Sequence, residues 1–488
     1  MILYVRHIKD IGAKRLVMKE FVYQKLATTL KEKIMSNVWR ENERLPSIRK
    51  LSEQYAISKI SVQTALHKLE ASGLIKAKPK SGYYVLSRQN KSPTLDKEAQ
   101  IKSPCLVKVP NIFHEIMENG AAFDIYPSAK VQQNSSHIEL LNRHINRAMR
   151  KQPITNSLYY DNPEGVKDLQ IQISEHYRSR GLFISPDEIC ITSGCQNSLF
   201  LALSTCCEPG DIVVIESPAF YGCLQLLQLL KLKVIELPTS SDNGIKSSDL
   251  QNILDKWQVK ACIVTPNFST PTGVCISLEE KKSLISLANS HNFTIIEDDI
   301  YGDLGFHFTP EPLKSFDTSG KVILCSSISK SLSRDLRIGW IVGGEKHSQI
   351  IHQKLVNSLA TNKTIQQGLA SFMAEGFYRR HLIQYRQTLI EQRNLLINSI
   401  NEHWHFPFYF TIPDGGLSIW IELEPHIDTT AIYKKALKLG IIMTPGMLFS
   451  SNKTFLNCLR LSFVHKVSGQ RLEALKKIGN IIEHESLL

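Results

Sequence analysis

The stretch VILCSSISKSLSRDLRIGW, residues 322–340, decides the fold of most of this 488-residue chain. It begins with apolar and β-branched residues, a pattern typical of a strand buried on both faces of a parallel sheet. A polar turn follows, and α/β sheets bind their ligands beyond the carboxyl ends of their strands. A lysine in such a turn, Lys330, lies near cations that can lower its pKa, so it can form a Schiff base with an aldehyde.

Similar strand patterns recur upstream of this stretch and predict an α/β fold with a mostly parallel sheet. They alternate with helical patterns, of which residues 199–206 and 278–290 are the clearest. The predicted strands cover residues 189–192, 212–215, 233–235, 261–264 and 294–296.

The loops after these strands offer different parts of one ligand site. Gly194 opens a helix, where backbone amides favour a phosphate, and Phe220 offers a ring that can stack on a flat ligand. Asp298 ends a buried strand, and a carboxylate there needs a partner such as a pyridinium N–H. Taken singly, Phe220 is better explained by core packing, and Asp298 is as well explained by a surface turn. Together with Lys330, they supply partners for a phosphate, a ring face, a ring nitrogen and an aldehyde carbon.

That set of partners fits pyridoxal 5′-phosphate, and residues 121–488 resemble fold-type I aminotransferases, with a large sheet domain and a small C-terminal α+β domain. The resemblance implies that Lys330 forms the internal aldimine, Asp298 pairs with the pyridine nitrogen and Tyr301 bonds the ring hydroxyl, which makes these three the catalytic candidates. It also implies that Arg460 clamps a substrate carboxylate. The implied cofactor-binding residues are Gly194, Cys195, Gln196, Phe220, Thr270, Asp298, Tyr301, Ser327, Lys330, Arg337 and Tyr160, the last reaching the neighbouring subunit's cofactor.

One position departs from this family. The aminotransferases usually carry Asn-Pro-Thr-Gly, whereas this chain has Thr270-Pro271-Thr272-Gly273. The usual asparagine contacts both the ring hydroxyl and the substrate carboxylate, and a threonine hydroxyl does not supply the same pair of groups. We therefore expect the cofactor to bind and transamination to be weak or absent.

The N-terminal part of the chain differs from the rest in its charge. Residues 1–90 carry 18 Lys and Arg and 7 Asp and Glu, so they hold +11 of the formal net charge of +12. A basic segment joined to a nearly neutral one indicates a polyanionic partner for the basic segment alone.

The same basic segment predicts three helices and a hairpin. Apolar residues recur at helical spacing in 21–36, and Pro46 precedes a second helix. Ser58 is a good N-cap for a third helix, which Gly73 would end. Strands are predicted at 74–78 and 83–85. A helical protein-docking module is the alternative to a DNA reader, but the charge favours DNA.

Residues 23–85, with the motifs LPSIRKL, SKISVQTALHKLEASGLI and SGYYV, resemble the winged helix-turn-helix of GntR-family regulators. Two positions depart from that family: Ile60 stands where a small polar residue is common, and Gln63 where a basic one is. A glutamine at position 63 could form two hydrogen bonds with an adenine base. Wing lysines would contact phosphates, adding salt-dependent affinity. The implied DNA-binding residues are Arg49, Ser58, Lys59, Ser61, Gln63, Lys78 and Lys80.

The combined arrangement resembles the MocR subfamily of transcriptional regulators. We expect a DNA-binding domain at 18–87, a linker at 88–120 and an effector domain at 121–488. The resemblance implies a head-to-tail homodimer that binds a double-stranded DNA operator. It also implies that the protein senses pyridoxal phosphate or a small amino compound. The alternative function is an active aminotransferase with an accessory DNA-binding module.

Composition excludes several other classes of protein. No apolar run approaches the ~18 residues of a membrane span, and charges at residues 6–10 argue against a secretory signal, so we expect a cytoplasmic protein. Met18 is a candidate alternative start. The ten cysteines have no zinc-binding spacing, so no metal is expected.

Overall fold

A computed structural model describes residues 22–35, 38–39, 43–71, 74–78, 81–85, 101–109, 114–115, 123–128, 136–152, 161–240, 244–452 and 454–486. By its internal contacts the chain divides into an N-terminal unit, Met1–Arg88, and a C-terminal unit, Gln89–Leu488.

The N-terminal unit contains the predicted helices and hairpin. Its elements are α1 (Val22–Met35), α2 (Ile48–Tyr55), α3 (Lys59–Ala71), β1 (Ile75–Lys78) and β2 (Gly82–Val85). The α2 helix begins because Ser47 accepts a hydrogen bond from the Lys50 amide, and it ends at Ala56, whose φ is +51°. Gly73, the predicted end of the third helix, lies outside the described residues.

The core of this unit includes an apolar face of α3. Val62, Ala65 and Leu66 are fully buried, and they pack with Leu30 of α1 and Leu51 of α2. This packing leaves the opposite face of α3 exposed, so polar side chains at its N-terminal end are free to meet a ligand.

A large mixed sheet forms the centre of the C-terminal unit, and it contains every predicted strand. Its members are β3 (Cys105–Leu106), β4 (Ile189–Thr192), β5 (Ile212–Ser217), β6 (Lys233–Ser240), β7 (Gly244–Ile245), β8 (Val259–Val264), β9 (Thr294–Asp298), β10 (Val322–Ser327) and β11 (Gly339–Val342). The order is β3-β6-β5-β8-β9-β10-β11-β4, with β7 beside β6. The five strands from β6 to β10 in this order run parallel, so their carboxyl ends meet at one edge.

Helices surround this sheet and continue into the C-terminal part of the unit. They are α4 (Ser136–Arg150), α5 (Lys167–Arg178), α6 (Cys195–Cys206), α7 (Tyr221–Leu229), α8 (Ser247–Leu254), α9 (Leu278–His291), α10 (His347–Asn357), α11 (Lys363–Ala374), α12 (Phe377–His403), α13 (Thr429–Leu437) and α14 (Gln470–Ser486). The strands are buried almost throughout, which explains their continuous apolar sequence.

A second, antiparallel sheet forms the small domain. Its strands are β12 (Phe408–Phe410), β13 (Ser418–Leu423), β14 (Thr444–Pro445) and β15 (Cys458–Ser462), in the order β12-β13-β15-β14. This sheet shares an apolar core with α12, α13 and α14. The architecture is therefore the predicted one, a large sheet domain followed by a small α+β domain.

Part of the predicted linker packs on the large sheet. Cys105 and Leu106 pair with Val234 and Lys233 of β6, and Val107 is buried. The Val109 amide also donates to Gln228 Oε1 at 2.8 Å. Sequence patterns did not predict this strand, because two paired residues are too few to produce an alternation.

Candidate functional site

Asp298 lies at the carboxyl end of β9 and is buried, as its position after an apolar run predicted. Its Oδ1 accepts hydrogen bonds from the Cys195 thiol and from the Ile300 amide, both at 3.2 Å. Burial raises the pKa of Asp298 to about 6, although these hydrogen bonds oppose the rise. A buried carboxylate with a raised pKa is suited to pair with a cationic N–H group.

Lys330 lies in the turn after β10, the strand that pairs with β9. Burial lowers the pKa of Lys330 to about 7, and the positive charges of Arg460 and Arg334 lower it further. Its Nζ lies 3.7 Å from the centre of the Phe123 ring. At neutral pH a substantial fraction of this amine is therefore unprotonated, the form that attacks an aldehyde.

The N-terminus of α6 and Arg337, both predicted to bind phosphate, lie next to each other. Gly194 has a φ of +104°, and a Cβ there would lie 2.5 Å from Arg337 Nη2, so only glycine lets the guanidinium approach this closely. Arg337 Nη2 donates to the Ser193 carbonyl at 3.0 Å. Ser327 is buried, and its Oγ accepts from the Ser329 amide at 3.2 Å. Backbone amides at a helix N-terminus beside an arginine suit a phosphate.

One cavity of about 130 Å³ joins these groups. Eight of the eleven predicted cofactor-binding residues line it: Cys195, Gln196, Phe220, Asp298, Tyr301, Ser327, Lys330 and Arg337. Gly194 adjoins it in the chain through Cys195, whereas Tyr160 lies outside the described residues. The Gln196 side chain donates to the Gly222 carbonyl at 2.9 Å, so its amide nitrogen is already engaged.

Tyr301 and Thr270 lie together on one side of the site. Both are buried, and burial raises the pKa of Tyr301 while Arg460 and the Thr270 hydroxyl oppose the rise. Asn267, in the same loop, does not replace the missing asparagine. Its amide donates to Asp299 at 3.1 Å, and its carbonyl accepts from Lys281 at 2.7 Å.

Arg460 lies on β15 of the small domain and is 1% exposed. Its Nη2 donates to Thr444 Oγ1 at 3.2 Å. Three aromatic rings surround its guanidinium, with centres 4.8 Å (Phe123), 5.3 Å (Phe449) and 5.6 Å (Tyr221) from Cζ. The first of these rings also contacts Lys330, a relationship that sequence analysis missed because more than 200 residues separate the two positions.

The predicted DNA-contacting residues lie on the surface of the N-terminal unit. Ser58 caps α3 as predicted, accepting from the Ser61 amide at 3.1 Å, and Lys59 and Gln63 are exposed on the same helix. Arg49 on α2 is also exposed, and its Nε donates to Glu53 at 3.0 Å.

The hairpin adds a further exposed cation to this surface. Lys78 on β1 lies 4.3 Å from the centre of the Tyr84 ring. Lys80 lies outside the described residues. Together with the exposed end of α3, Lys78 gives this unit a basic, polar face suited to a nucleic-acid backbone.

The described part of the chain contains neither a candidate metal site nor a candidate membrane-spanning helix. No group of three or more His, Cys, Asp or Glu side chains there has the geometry to hold a metal ion. None of the helices described is both long and apolar enough to cross a membrane.

Comparisons with known proteins divide the chain in the same way. Residues 22–85 match the family described as bacterial regulatory proteins, gntR family, and residues 132–478 match aminotransferase class I and II. The HTH-type transcriptional regulator YjiR of Escherichia coli K12, itself called uncharacterized, is 35% identical over 94% of this chain and 98% of its own length. The regulator NorG of Staphylococcus aureus is 27% identical over 90% of this chain and 99% of its own.

Solved structures resemble the C-terminal part of the chain. Kynurenine aminotransferase from Pyrococcus horikoshii, crystallised with PMP, has a TM-score of 0.69 and 26% identity, covering 78% of this chain and 95% of its own. The α-aminoadipate aminotransferase LysN of Thermus thermophilus reaches the same TM-score at 23% identity, over 78% of this chain and 96% of its own, which shows a shared fold.

Proposed function

This chain belongs to the aminotransferase class I and II family and carries a gntR-family regulatory domain, and we propose that it is a pyridoxal-phosphate-dependent transcriptional regulator. The N-terminal unit binds operator DNA, and the C-terminal unit senses the cofactor or a small amino compound. The architecture is that of the MocR regulators, and its relatives over nearly the whole length are named as transcriptional regulators.

One observation carries the proposal: Lys330, whose pKa is lowered to about 7, and Asp298, whose pKa is raised to about 6, line the same cavity. A merely structural lysine and carboxylate would be expected to form an ion pair or to face water. The cradle left open by Gly194 beside Arg337 supports a phosphate at the end of that cavity. The residues present therefore fit pyridoxal phosphate.

Pyridoxal phosphate would supply an aldehyde that condenses with an amine and a ring that withdraws electrons. Lys330 would offer its unprotonated Nζ to the aldehyde, and Asp298 would accept the ring N–H. Arg337, Ser327 and the amides of α6 would hold the phosphate. Phe220 would cover the ring face.

For the site to regulate transcription, its ligand must bind two conformations unequally. A difference of ~1–3 kcal/mol corresponds to about 5- to 150-fold coupling between the site and the DNA reader. We propose that Lys330, released when an amino compound takes its place, and Arg460 on the small domain provide this difference. The fold of the C-terminal unit also supports a head-to-tail homodimer, with two readers on paired half-sites.

The test is the covalent attachment at Lys330. Purified protein incubated with pyridoxal phosphate should absorb in the visible range, and borohydride should fix the cofactor on the peptide that contains Lys330. Lys330→Ala should abolish both signals, and Lys330→Arg, which keeps a positive charge and cannot condense, should do the same while binding DNA as the unmodified protein does without cofactor. Attachment only at other lysines would refute the proposal.

The rival function, an active aminotransferase, is favoured by the placement of Arg460 beside the site. It predicts brisk turnover of common amino and keto acid pairs, whereas Thr270 in place of asparagine predicts slow or no turnover. Recovery of genomic DNA fragments with and without pyridoxal phosphate then shows whether the cofactor alters DNA binding.

A further inference from the structure

Phe123 contacts both cations that a bound amino acid would use. Its ring centre lies 3.7 Å from Lys330 Nζ and 4.8 Å from Arg460 Cζ. The ring also packs against the apolar core of the small domain. Contacts between a cation and an aromatic face are attractive and gain strength away from water. These contacts therefore help to hold the ring next to Lys330 and Arg460.

The small domain fixes the position of this ring. Asp124, the next residue, accepts from Arg471 Nε at 2.9 Å and from Arg471 Nη2 at 2.7 Å, and His465 lies 3.7 Å from the same carboxylate. The Ile442 amide donates to the Ile125 carbonyl at 2.9 Å. A two-pronged arginine–carboxylate pair is among the stronger and more directional side-chain contacts, so residues 123–125 are anchored to the small domain.

The Phe123 ring contacts one residue that lines the cofactor cavity and one that does not. Lys330 lines the cavity of about 130 Å³, whereas Arg460 does not. An α-amino acid that placed its amine at Lys330 and its carboxylate on Arg460 would need the volume touching both cations. Phe123 occupies part of that volume, and an amine without a carboxylate does not require it.

We propose that Phe123 determines specificity at this site, which rests on the proposed function. It favours amines that lack an α-carboxylate, and it makes α-amino acids displace the ring before they reach Arg460. A ligand with a carboxylate therefore has to break the contact between the ring and Arg460, whereas a simple amine leaves that contact intact. The site thus favours a simple amine over an α-amino acid, because only the amino acid has to displace the Phe123 ring.

The experiment compares L-alanine with ethylamine, which is the same molecule without its carboxyl group. Dissociation constants are measured on the full-length, cofactor-loaded protein from the change in its visible spectrum. Phe123→Ala should strengthen L-alanine binding about tenfold relative to ethylamine, because the carboxylate no longer displaces a cation–ring contact. Phe183→Ala, which removes a phenylalanine that is 77% exposed, is the matched control and should leave the ratio unchanged.

A second variant tests the anchor and keeps the ring. Asp124→Asn weakens the pair with Arg471, so it should shift the same ratio in the same direction by a smaller factor. An unchanged ratio in both variants, or equal changes for the two ligands, overturns the inference. Absence of the visible band in the unmodified protein instead refutes the proposed function, so the two failures are distinguishable.

Discussion

The two units of this chain present their predicted contact residues in opposite ways. In the N-terminal unit the Arg49 side chain is 80% exposed, whereas Asp298 and Arg460 in the C-terminal unit are 3% and 1% exposed. Exposed charges contribute small, salt-dependent increments to binding. Buried charges depend on a few partners, and the loss of one is costly. The comparison teaches that one chain can combine an exposed site, where a substitution has a small effect, with a buried site, where a substitution has a large one. The following predictions test this difference.

The largest expected effect is a loss of stability in the N-terminal unit that leaves the C-terminal unit unchanged. Leu66 is fully buried in the core of the N-terminal unit, so Leu66→Ala should lower the free energy of unfolding of that unit by roughly 2–5 kcal/mol. Thermal unfolding followed by circular dichroism should show one transition moving down while the visible cofactor band persists. Thr64→Ala on the exposed face of α3 is the control. A joint loss of both transitions would contradict the independence of the units.

Removing the buried carboxylate comes next. Asp298→Ala deletes the proposed partner of the ring nitrogen, so the affinity for pyridoxal phosphate should fall by roughly 1.5–3 kcal/mol, or about 10- to 150-fold. Equilibrium dialysis of the cofactor measures this, with DNA binding as the control for folding. Unchanged affinity would show that Asp298 is structural.

Arg49→Ala removes an exposed charged side chain from the predicted DNA-binding surface. It should weaken operator binding by roughly 1–3 kcal/mol without changing the visible spectrum. Glu53→Ala removes only the ion-pair partner of Arg49, so it should not weaken binding. Fluorescence anisotropy with a labelled operator measures both. Equal losses in the two variants would show that the pair acts by supporting α2.

The pH dependence of cofactor attachment follows from the two shifted groups. The pKa of Lys330 is lowered to about 7 and that of Asp298 raised to about 6. Below pH 7 the amine becomes protonated and the attachment rate should fall, approaching tenfold for each pH unit. Below pH 6 Asp298 also becomes protonated, which weakens its pairing with the ring and acts in the same direction. Stopped-flow absorbance measures the rate, and a midpoint near the ordinary lysine pKa would contradict the prediction.

The smallest effect concerns the hairpin. Lys78→Ala should reduce the slope of log affinity against log salt by about 1 and weaken all DNA sequences alike. Lys282→Ala, which removes an exposed lysine of the C-terminal unit, should leave the slope unchanged. A sequence-selective loss would indicate that Lys78 contacts a base.

Much of the fold followed from local sequence patterns. Apolar runs predicted six of the seven strands of four or more residues in the large sheet, because burial on both faces demands such residues. Pro46 marked the start of the second helix, and Ser58 marked that of the third because its side chain accepts a backbone N–H. β11 was missed, since its four residues follow a polar loop and form no long run.

The site was harder to predict wherever it depends on distant parts of the chain. Loops after neighbouring strands were expected to converge, and eight of the predicted residues do line one cavity. Phe123 reaches the site from a segment without periodicity, and the Cys195 thiol reaches Asp298 across the sheet. Such contacts leave no local pattern, because they arise from packing of elements far apart in sequence.

The short β3 strand has a consequence for how this protein could be divided. It covers β6 at Lys233 and Val234, and an uncovered strand edge is a template on which further chains can polymerise. A fragment beginning at residue 89 would retain β3, whereas one beginning at residue 110 would leave this edge of β6 unpaired and prone to aggregation. We therefore expect this N-terminal segment of the C-terminal unit to protect the sheet edge from aggregation.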